Sequence, residues 1–356
     1  MKFIADALAG FVVLGTFLPF IRTDRWWVRI FDFPRAQLLL FGLIILAIEA
    51  FLYRSLAPAE QVLVGLLIVA IVIQVWHIFP YTLLARERVL DADGKHDPVN
   101  VLVANVLQEN RRAEDLLQEI RKADPDIILL TEMDHWWTDR LHELERSHPH
   151  TVLHPLENTY GINLYSRLPI SDAGVRTLID DDIPSIRATI TSKGGRKILF
   201  HGVHPLPPGI EHPRNKERQD SDQRDAELVV IAKELEGVDL PIIIAGDFND
   251  VAWSHTTRLF QRISRLLDPR IGRGFFNSFN AKSRFFRYPL DHLFHSDHFK
   301  LIHMERMAYF GSDHFPINVQ LDLQPQAQHQ QEAPEKKPGD EREAKEILER
   351  PAGKDH

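Results

Sequence analysis

Three long apolar segments crowd the first 84 residues and constrain the chain more than anything that follows them. They are FIADALAGFVVLGTFLPFI (Phe3–Ile21), AQLLLFGLIILAIEAFLY (Ala36–Tyr53) and VLVGLLIVAIVIQVWHIFPYTLL (Val62–Leu84). A membrane-crossing helix takes about 20 mostly apolar residues. The third segment carries no charged residue, and Asp6 and Glu49 lie near the ends of the other two, where a charge costs less. A cleavable signal accounts for the first segment alone. A soluble bundle calls for a polar stripe on each helix. The expectation is therefore a membrane anchor over residues 1–84 with three transmembrane helices, giving a multi-pass protein of the inner membrane in contact with lipids.

The stretch RTDRWWVRIFDFPR, Arg22 to Arg35, mixes tryptophan with arginine and suits the headgroup region. Three spans put this loop and everything after Leu84 on one side. Four arginines here against Arg54 alone in the next loop favour the cytoplasm. Interfacial arginines also bind lipid phosphates on the outer face, so arginine count alone leaves the side open.

Beyond Leu84 the hydropathy falls. Residues 85–100 read as a linker, with charges, Gly94 and Pro98. Short apolar runs then alternate with helical stretches. Strands are expected at VLVANV, IILLTE, GINLYS, SIRATIT, KILFHGVH, LPIIIAGDF, LDHLFHS and INVQLDL. RRAEDLLQEIRKA and QDSDQRDAELVVIAKELEG read as helices, the second ended by Gly237. Many strands with a few helices over residues 101–323 indicate one layered α/β domain. Residues 324–356 lack aromatics and are expected to be a disordered polar tail, with room for a short helix around Glu341–Glu349. The net charge of −8 argues against a generic nucleic-acid-coating protein, and the absence of cysteine excludes disulfides, thiolate metal sites and cysteine nucleophiles.

Polar residues recur where the predicted strands end or are interrupted: Asn105, Glu132, His204, Asp247, Asn249, Asp291, Asp313 and His314. Singly, each reads as a turn or cap residue. Together, carboxylates, amides and imidazoles meeting at one sheet edge make a site for a hard divalent cation and a phosphate. The ordered set DPDIILLTE, YGINLYSRLPI, FHGVH, IIIAGDFND, PLDHLFHS and GSDHFPI resembles the endonuclease/exonuclease/phosphatase (DNase I-like) superfamily, in its membrane-anchored bacterial type. The resemblance runs from about Val101 to Leu323.

It implies a four-layer α/β sandwich, two mixed β-sheets flanked by helices. It also implies a Mg²⁺- or Mn²⁺-dependent hydrolase of phosphate esters. Glu132 matches the principal metal ligand, Asn105 an amide that arranges metal and phosphate, and Asp313 a residue that reaches the metal. Asp247 matches the group that orients or deprotonates the attacking water. Asn249 matches the amide on the phosphoryl oxygens, and His314, oriented by Asp291, the histidine beside the scissile phosphate. His204 matches a second histidine near phosphate or leaving group. Asp250, Asp134, His292, His295 and Arg167 are expected to serve the framework or the rim.

The substrate is less constrained. Between Arg258 and Tyr288 eight basic residues interleave with seven aromatic ones. Such a patch grips nucleic acid by charge and stacking, or lies on an anionic membrane. The three apolar segments favour a lipid-linked phosphate or pyrophosphate, with the catalytic domain on the outer face. A tethered nuclease acting on DNA or RNA is the runner-up, and a non-catalytic membrane scaffold the third reading. No protein partner is inferable.

Overall fold

A computed structural model describes residues 2–52, 57–211 and 219–352. Tyr53 and Arg54 lie outside these residues. The chain opens with α1 (Lys2–Phe17), the single-turn α2 (Trp26–Arg29), α3 (Arg35–Leu52) and α4 (Pro58–Ile78). Lys2–Phe20 and Pro58–Tyr81 are long and apolar enough to cross a membrane, with mean hydropathies of 1.9 and 2.6. Trp26–Asp32 and Arg35–Phe51 make a third candidate, bent by 71° at the break between them. Pro34 sits at that break, where it cannot continue a preceding helix. The three long helices pack through Ala9, Val12, Leu38, Ile45 and Leu67.

Among the described residues, the remainder holds eleven strands. The first sheet contains β1 (Pro98–Asn105), β2 (Ile127–Thr131), β3 (His150–His154), β4 (Ile162–Ser166), β10 (Phe299–Arg306) and β11 (Ile317–Leu323). Its order is β10-β11-β1-β2-β4-β3. The second contains β5 (Ile170–Thr177), β6 (Pro184–Thr191), β7 (Lys197–Val203), β8 (Ile242–Asp247) and β9 (Asp291–His295), in that order. β1–β2 and β7–β8 are parallel and the other pairs antiparallel, so both sheets are mixed.

The near-continuous apolar runs are explained by burial on both faces. Val101, Val103, Ile127 and Leu129 face Phe200, Ile243, Ala245 and Leu293 between the sheets. The alternate residues Leu102, Ala104, Ile128 and Leu130 meet Leu116, Leu117 and Ile120 of α5 (Ala113–Ala123). Ile242, Ile244 and Phe294 meet α7 (Asp222–Leu235) and α8 (His255–Ser264), while the short α6 (His135–Arg140) adds Trp137 to the opposite outer layer. Helix, sheet, sheet, helix is the four-layer sandwich expected.

Three sequence readings change. The 85–100 stretch is not a free linker: Val89 is fully buried between the sheets and Asp91 bridges Leu301. The tail is not featureless. Asp340–Ala352 forms α9, whose Ala344 and Ile347 bury against the layer of α7 and α8. It covers the short helix read around Glu341–Glu349, and Arg262–Asp340 and His255–Glu343 fasten its start. Residues 353–356 of that tail fall outside the described ones.

The third change concerns residues 22–35, which fold against the α/β domain. Trp253 Nε1 donates to Asp32 O at 2.7 Å, Arg29 Nη2 to Thr256 Oγ1 at 3.1 Å, and Tyr81 Oη to Ala252 O at 2.8 Å. Phe33, Ala36 and Leu39 join a cluster with Val251, Trp253 and Leu290.

One buried acid stands apart. Burial pushes the Glu227 carboxyl up to about 8, with Asp180 adding repulsion and Arg176 opposing it, and its Oε1 has no hydrogen-bond partner. The folded state therefore binds a proton that the unfolded state releases near pH 4.5. The resulting destabilisation is absent below that pH and grows until about pH 8. Glu227→Gln is expected to raise Tm by several degrees at pH 8 and by little at pH 5, measured by thermal unfolding of the detergent-solubilised protein. Equal shifts at both pH values would count against it.

Candidate active site

Strand register brings the polar residues together. β1 runs parallel to β2 with Asn105 opposite Thr131, which sets Glu132 beside Asn105. In the other sheet Val203 lies opposite Gly246, so His204 follows at the level of Asp247, and Asp247 faces Asp291 across the antiparallel β8–β9 pair. His314 enters just ahead of β11, which pairs with β1. The two sheets thus offer their ends at one edge of the sandwich. Gly246 makes the approach possible: a Cβ there would lie 1.9 Å from the Val203 carbonyl oxygen, and its φ of 144° is one that L residues rarely adopt.

Asn105 is the hub. Its Nδ2 donates to Glu132 Oε1 at 2.8 Å and to Asp247 Oδ2 at 3.1 Å, and its Oδ1 accepts from Leu107 N. Gln108 N donates to Glu132 Oε2 at 3.0 Å. Glu132 (φ 60°) and Asn249 (φ 51°) both adopt the left-handed conformation, which asparagine tolerates and glutamate rarely adopts, and which concentrates at functional sites. Burial pushes the Glu132 carboxyl up to about 7, with the Asn105 and Gln108 hydrogen bonds pulling the other way.

His314 Nδ1 lies 2.6 Å from Asp291 Oδ2, and its Nε2 3.6 Å from Asp247 Oδ2. Burial alone would lower the pKa of this imidazole; Asp291 and Asp247 outweigh it and push it up to about 10. His204 is the opposite case. Its Nε2 is 3.8 Å from Asp247 Oδ2, but burial dominates and lowers it to about 4. One histidine is thus a cation at neutral pH and the other is neutral, 3.6 and 3.8 Å from the same carboxylate oxygen.

The oxygen donors fit a hard cation. Glu132 is a buried carboxylate whose hydrogen-bond donors are neutral amides, and Asp313 and His314 are the ionisable groups it senses most. Glu132, Asn105 Oδ1 and Asp313 carry oxygen atoms of the kind Mg²⁺ and Mn²⁺ accept while keeping several waters. Ligand atoms of Asp247, Asp291 and His314 also lie within 4.8 Å of one another.

Of the eight residues singled out, seven are linked through contacts within 4 Å or a shared turn. The eighth, Asp313, bears electrostatically on Glu132 and His314, while its backbone oxygen takes Ala281 N. Asn249 N donates to Asp247 Oδ1, and one N–H of its side chain goes to Pro205 O. Asp250 accepts from Ser254 and Thr257 at the start of α8; Asp134 caps α6; His292 contacts Asp250 O; His295 contacts Ser296 O; and Arg167 pairs with Asp124 at the far end of β2.

Sequence reasoning passed over several supports. Ser312 Oγ ties the His314 turn to Asn105 O, Ser278 Oγ holds Asp291 N, Tyr160 lies over His204 at 5.3 Å, and Phe279 over His314 at 5.0 Å. Ser312 stood inside the GSDH motif, Tyr160 at the head of YGINLYSRLPI, and Ser278 and Phe279 inside the basic-aromatic stretch, but none was singled out.

The family model described as the Endonuclease/Exonuclease/phosphatase family matches residues 99–314. The chain belongs to that family. It is accordingly a metal-dependent hydrolase acting on phosphate ester bonds. No curated protein matches it. Among solved structures it is similar to humanized D. rerio TDP2 carrying 14 mutations (16% identity, 63% of this chain and 99% of that one, TM-score 0.51). It is also similar to D. rerio TDP2 complexed with single strand DNA product (16%, 63% and 99%, TM-score 0.50). The human Nocturnin catalytic domain with bound sulfate anion aligns at 19% identity over 64% of this chain and 94% of that one, with a TM-score of 0.49. At these identities the likeness is one of fold.

Removing the Asp291 charge tests the electrostatics. In Asp291→Asn the His314 imidazole keeps its burial but loses its main support. Its pKa is expected to fall by at least two units, read from the imidazole NMR shifts across a pH series. An unchanged titration would refute the ion pair.

Proposed function

We propose that this protein hydrolyses a lipid-linked phosphate ester at the membrane surface, with Glu132, Asn105 and Asp313 holding Mg²⁺ or Mn²⁺. The observation that carries the lipid reading is the contact between the catalytic mouth and the N-terminal helices. The loop bearing Phe279, which lies over His314, meets them through Tyr288 against Phe33 at 5.5 Å and Phe285 O accepting from Gln37 at 2.7 Å.

The bound cation would supply Lewis-acid charge to the phosphoryl oxygens. Asp247 orients a water in line with the ester and takes its proton as the water oxygen bonds to phosphorus. The P–O bond to the leaving group breaks, and His314 gives that oxygen its Nε2 proton. Asp247 Oδ2, 3.6 Å from Nε2, then returns a proton to His314, which closes the cycle. Asn249 offers its remaining side-chain N–H to a phosphoryl oxygen. His204 is neutral and contributes as a hydrogen-bonding group beside the phosphate.

A tethered nuclease acting on DNA or RNA is the second reading, favoured by the fold shared with the TDP2–single strand DNA product complex. The basic-aromatic stretch supports it less than its composition suggests. Arg270 is buried against Asp268, Arg273 pairs with Glu87 and Asp91, Arg262 pairs with Asp340, and Phe260, Phe275 and Phe279 are spent in packing. The exposed remainder is Arg265, Lys282, Arg284, Phe285 and Phe286, and its aromatic part lies beside the start of α3, with Phe285 5.8 Å from Phe41.

An exported catalytic domain completes the proposal. The arginines of residues 22–35 are weak guides to the cytoplasm, because Arg29 and Arg35 are buried around Asp32 and Arg25 pairs with Asp220. A C-terminal alkaline phosphatase fusion should be active and a fluorescent-protein fusion dark; the reverse pattern would overturn this orientation.

The decisive assay is a substrate screen of the full-length protein in detergent with millimolar Mg²⁺, comparing lipid phosphoesters with DNA. Lipid phosphoester turnover is expected to dominate and to vanish with EDTA. Glu132→Ala and His314→Ala should each lower kcat by about 10²-fold or more. Unchanged activity in either variant would sink the site assignment, and faster DNA cleavage would reverse the substrate ranking.

A further inference from the structure

The catalytic residues account for a phosphate but not for what the phosphate is attached to. Beside them lies an apolar cavity of about 520 Å³, within the range of small-ligand sites. Three walls form it. The N-terminal segment between α1 and α3 gives Trp26, Ile30 and Phe33; the loop that leaves His204 gives Ile210; and the loop that enters Asp291 gives Phe279 and Phe286. None of its eleven lining residues is charged.

Two of these walls begin at the chemistry. Phe279 is bridged through its backbone to His314, and its ring lies 5.0 Å from the imidazole. Pro205, which opens the loop toward Ile210, accepts the Asn249 side chain at 2.9 Å. The third wall leads elsewhere: Phe33 and Pro34 run directly into Arg35, the first residue of the apolar helix α3. Ile30, Ile210 and Phe286 remain more than half exposed at the cavity. A cavity lined for hydrocarbon thus joins the phosphate site at one end to the membrane-facing helices at the other.

The geometry points to this cavity as the subsite for the hydrocarbon chain of an amphiphilic phosphoester. The occupant rests on the lipid reading above. With phosphorus beside Asp247 and His314, the chain passes over Phe279, lies between Trp26 and Ile210, and continues toward α3. Each methylene withdrawn from water favours binding, so the cavity makes hydrolysis selective for chain length. The reacting atoms do not change along such a series.

A pair of esters with one scissile bond isolates this. Hexadecyl and ethyl 4-nitrophenyl phosphate both release nitrophenolate, and the full-length protein in detergent with Mg²⁺ is assayed on each. The wild type is expected to favour the hexadecyl ester in kcat/KM by at least 100-fold. Ile210→Ser combined with Phe286→Ser, both at exposed positions, should cut that ratio at least tenfold.

A hexadecyl phosphate bearing a diazirine near its chain end gives a readout independent of turnover. It should label peptides containing residues 26–34, 205–211 or 279–288. If the wild type prefers the long ester but the double variant keeps the ratio, or label appears only in α1, α3 and α4, the cavity is not the subsite, although the lipid reading stands. If DNA is cleaved and neither ester is turned over, the lipid reading itself fails and this inference falls with it.

Discussion

One amide holds the site in register. Asn105 Nδ2 reaches Glu132 in its own sheet and Asp247 in the other, so a single side chain ties the two sheets together where each ends. Two carboxylates in a buried space repel each other, and their desolvation is expensive. Asn105 relieves part of that cost by donating to both. The remainder shows in Glu132, whose carboxyl burial carries up to about 7. That residual cost is one a divalent cation beside Glu132 would relieve, which supports the ligand role proposed for it. His314 repeats the arrangement with the opposite sign: a buried cation set between Asp291 and Asp247.

The fold was largely legible because the sheets are buried on both faces. Runs such as IILLT and IIIAG need no alternation when a second sheet covers one side and helices the other. The final strand, Ile317–Leu323, falls on the residues that read as a strand. The strands that escaped notice are those with mixed burial. β5 is largely exposed, with sequence ISDAGVRT, and β3 and β10 alternate or sit at sheet edges. Their apolar signal is diluted because only part of each strand meets the core.

The site was legible for a related reason. A charge at the end of an apolar run is costly unless it has a task, and such positions stand out one by one. Their grouping depends on register, and register depends on long-range pairing that no local pattern reveals. Asp250 and Asp247 look alike in GDFND, yet Asp250 points back to Ser254 and Thr257 while Asp247 meets Asn105 and both histidines. Arg224 shows the limit from the other side. Nothing in its helix marks it, but from α7 it is buried and clamps Asn249 O at 2.8 Å, fixing the turn that carries the site amide.

The junction between the N-terminal helices and the catalytic domain was the least legible feature, and it has the greatest consequence for substrate choice. A membrane tether through a flexible linker only concentrates an enzyme near lipid. Here the connection is a buried polar chain: Thr16 of α1 accepts from Gln74 of α4, Gln74 accepts from Arg35 of α3, Arg35 and Arg29 both meet Asp32, and Arg29 donates to Thr256 of α8. Each member is buried, so breaking one contact strands a polar group without water. Such a chain fixes orientation as well as distance. It holds the segment that leads into α3 where Trp26, Ile30 and Phe33 share a cavity with Phe279 and Ile210. Under the lipid reading proposed above, that fixed geometry would present an amphiphile at the interface to Asp247 and His314 already aligned.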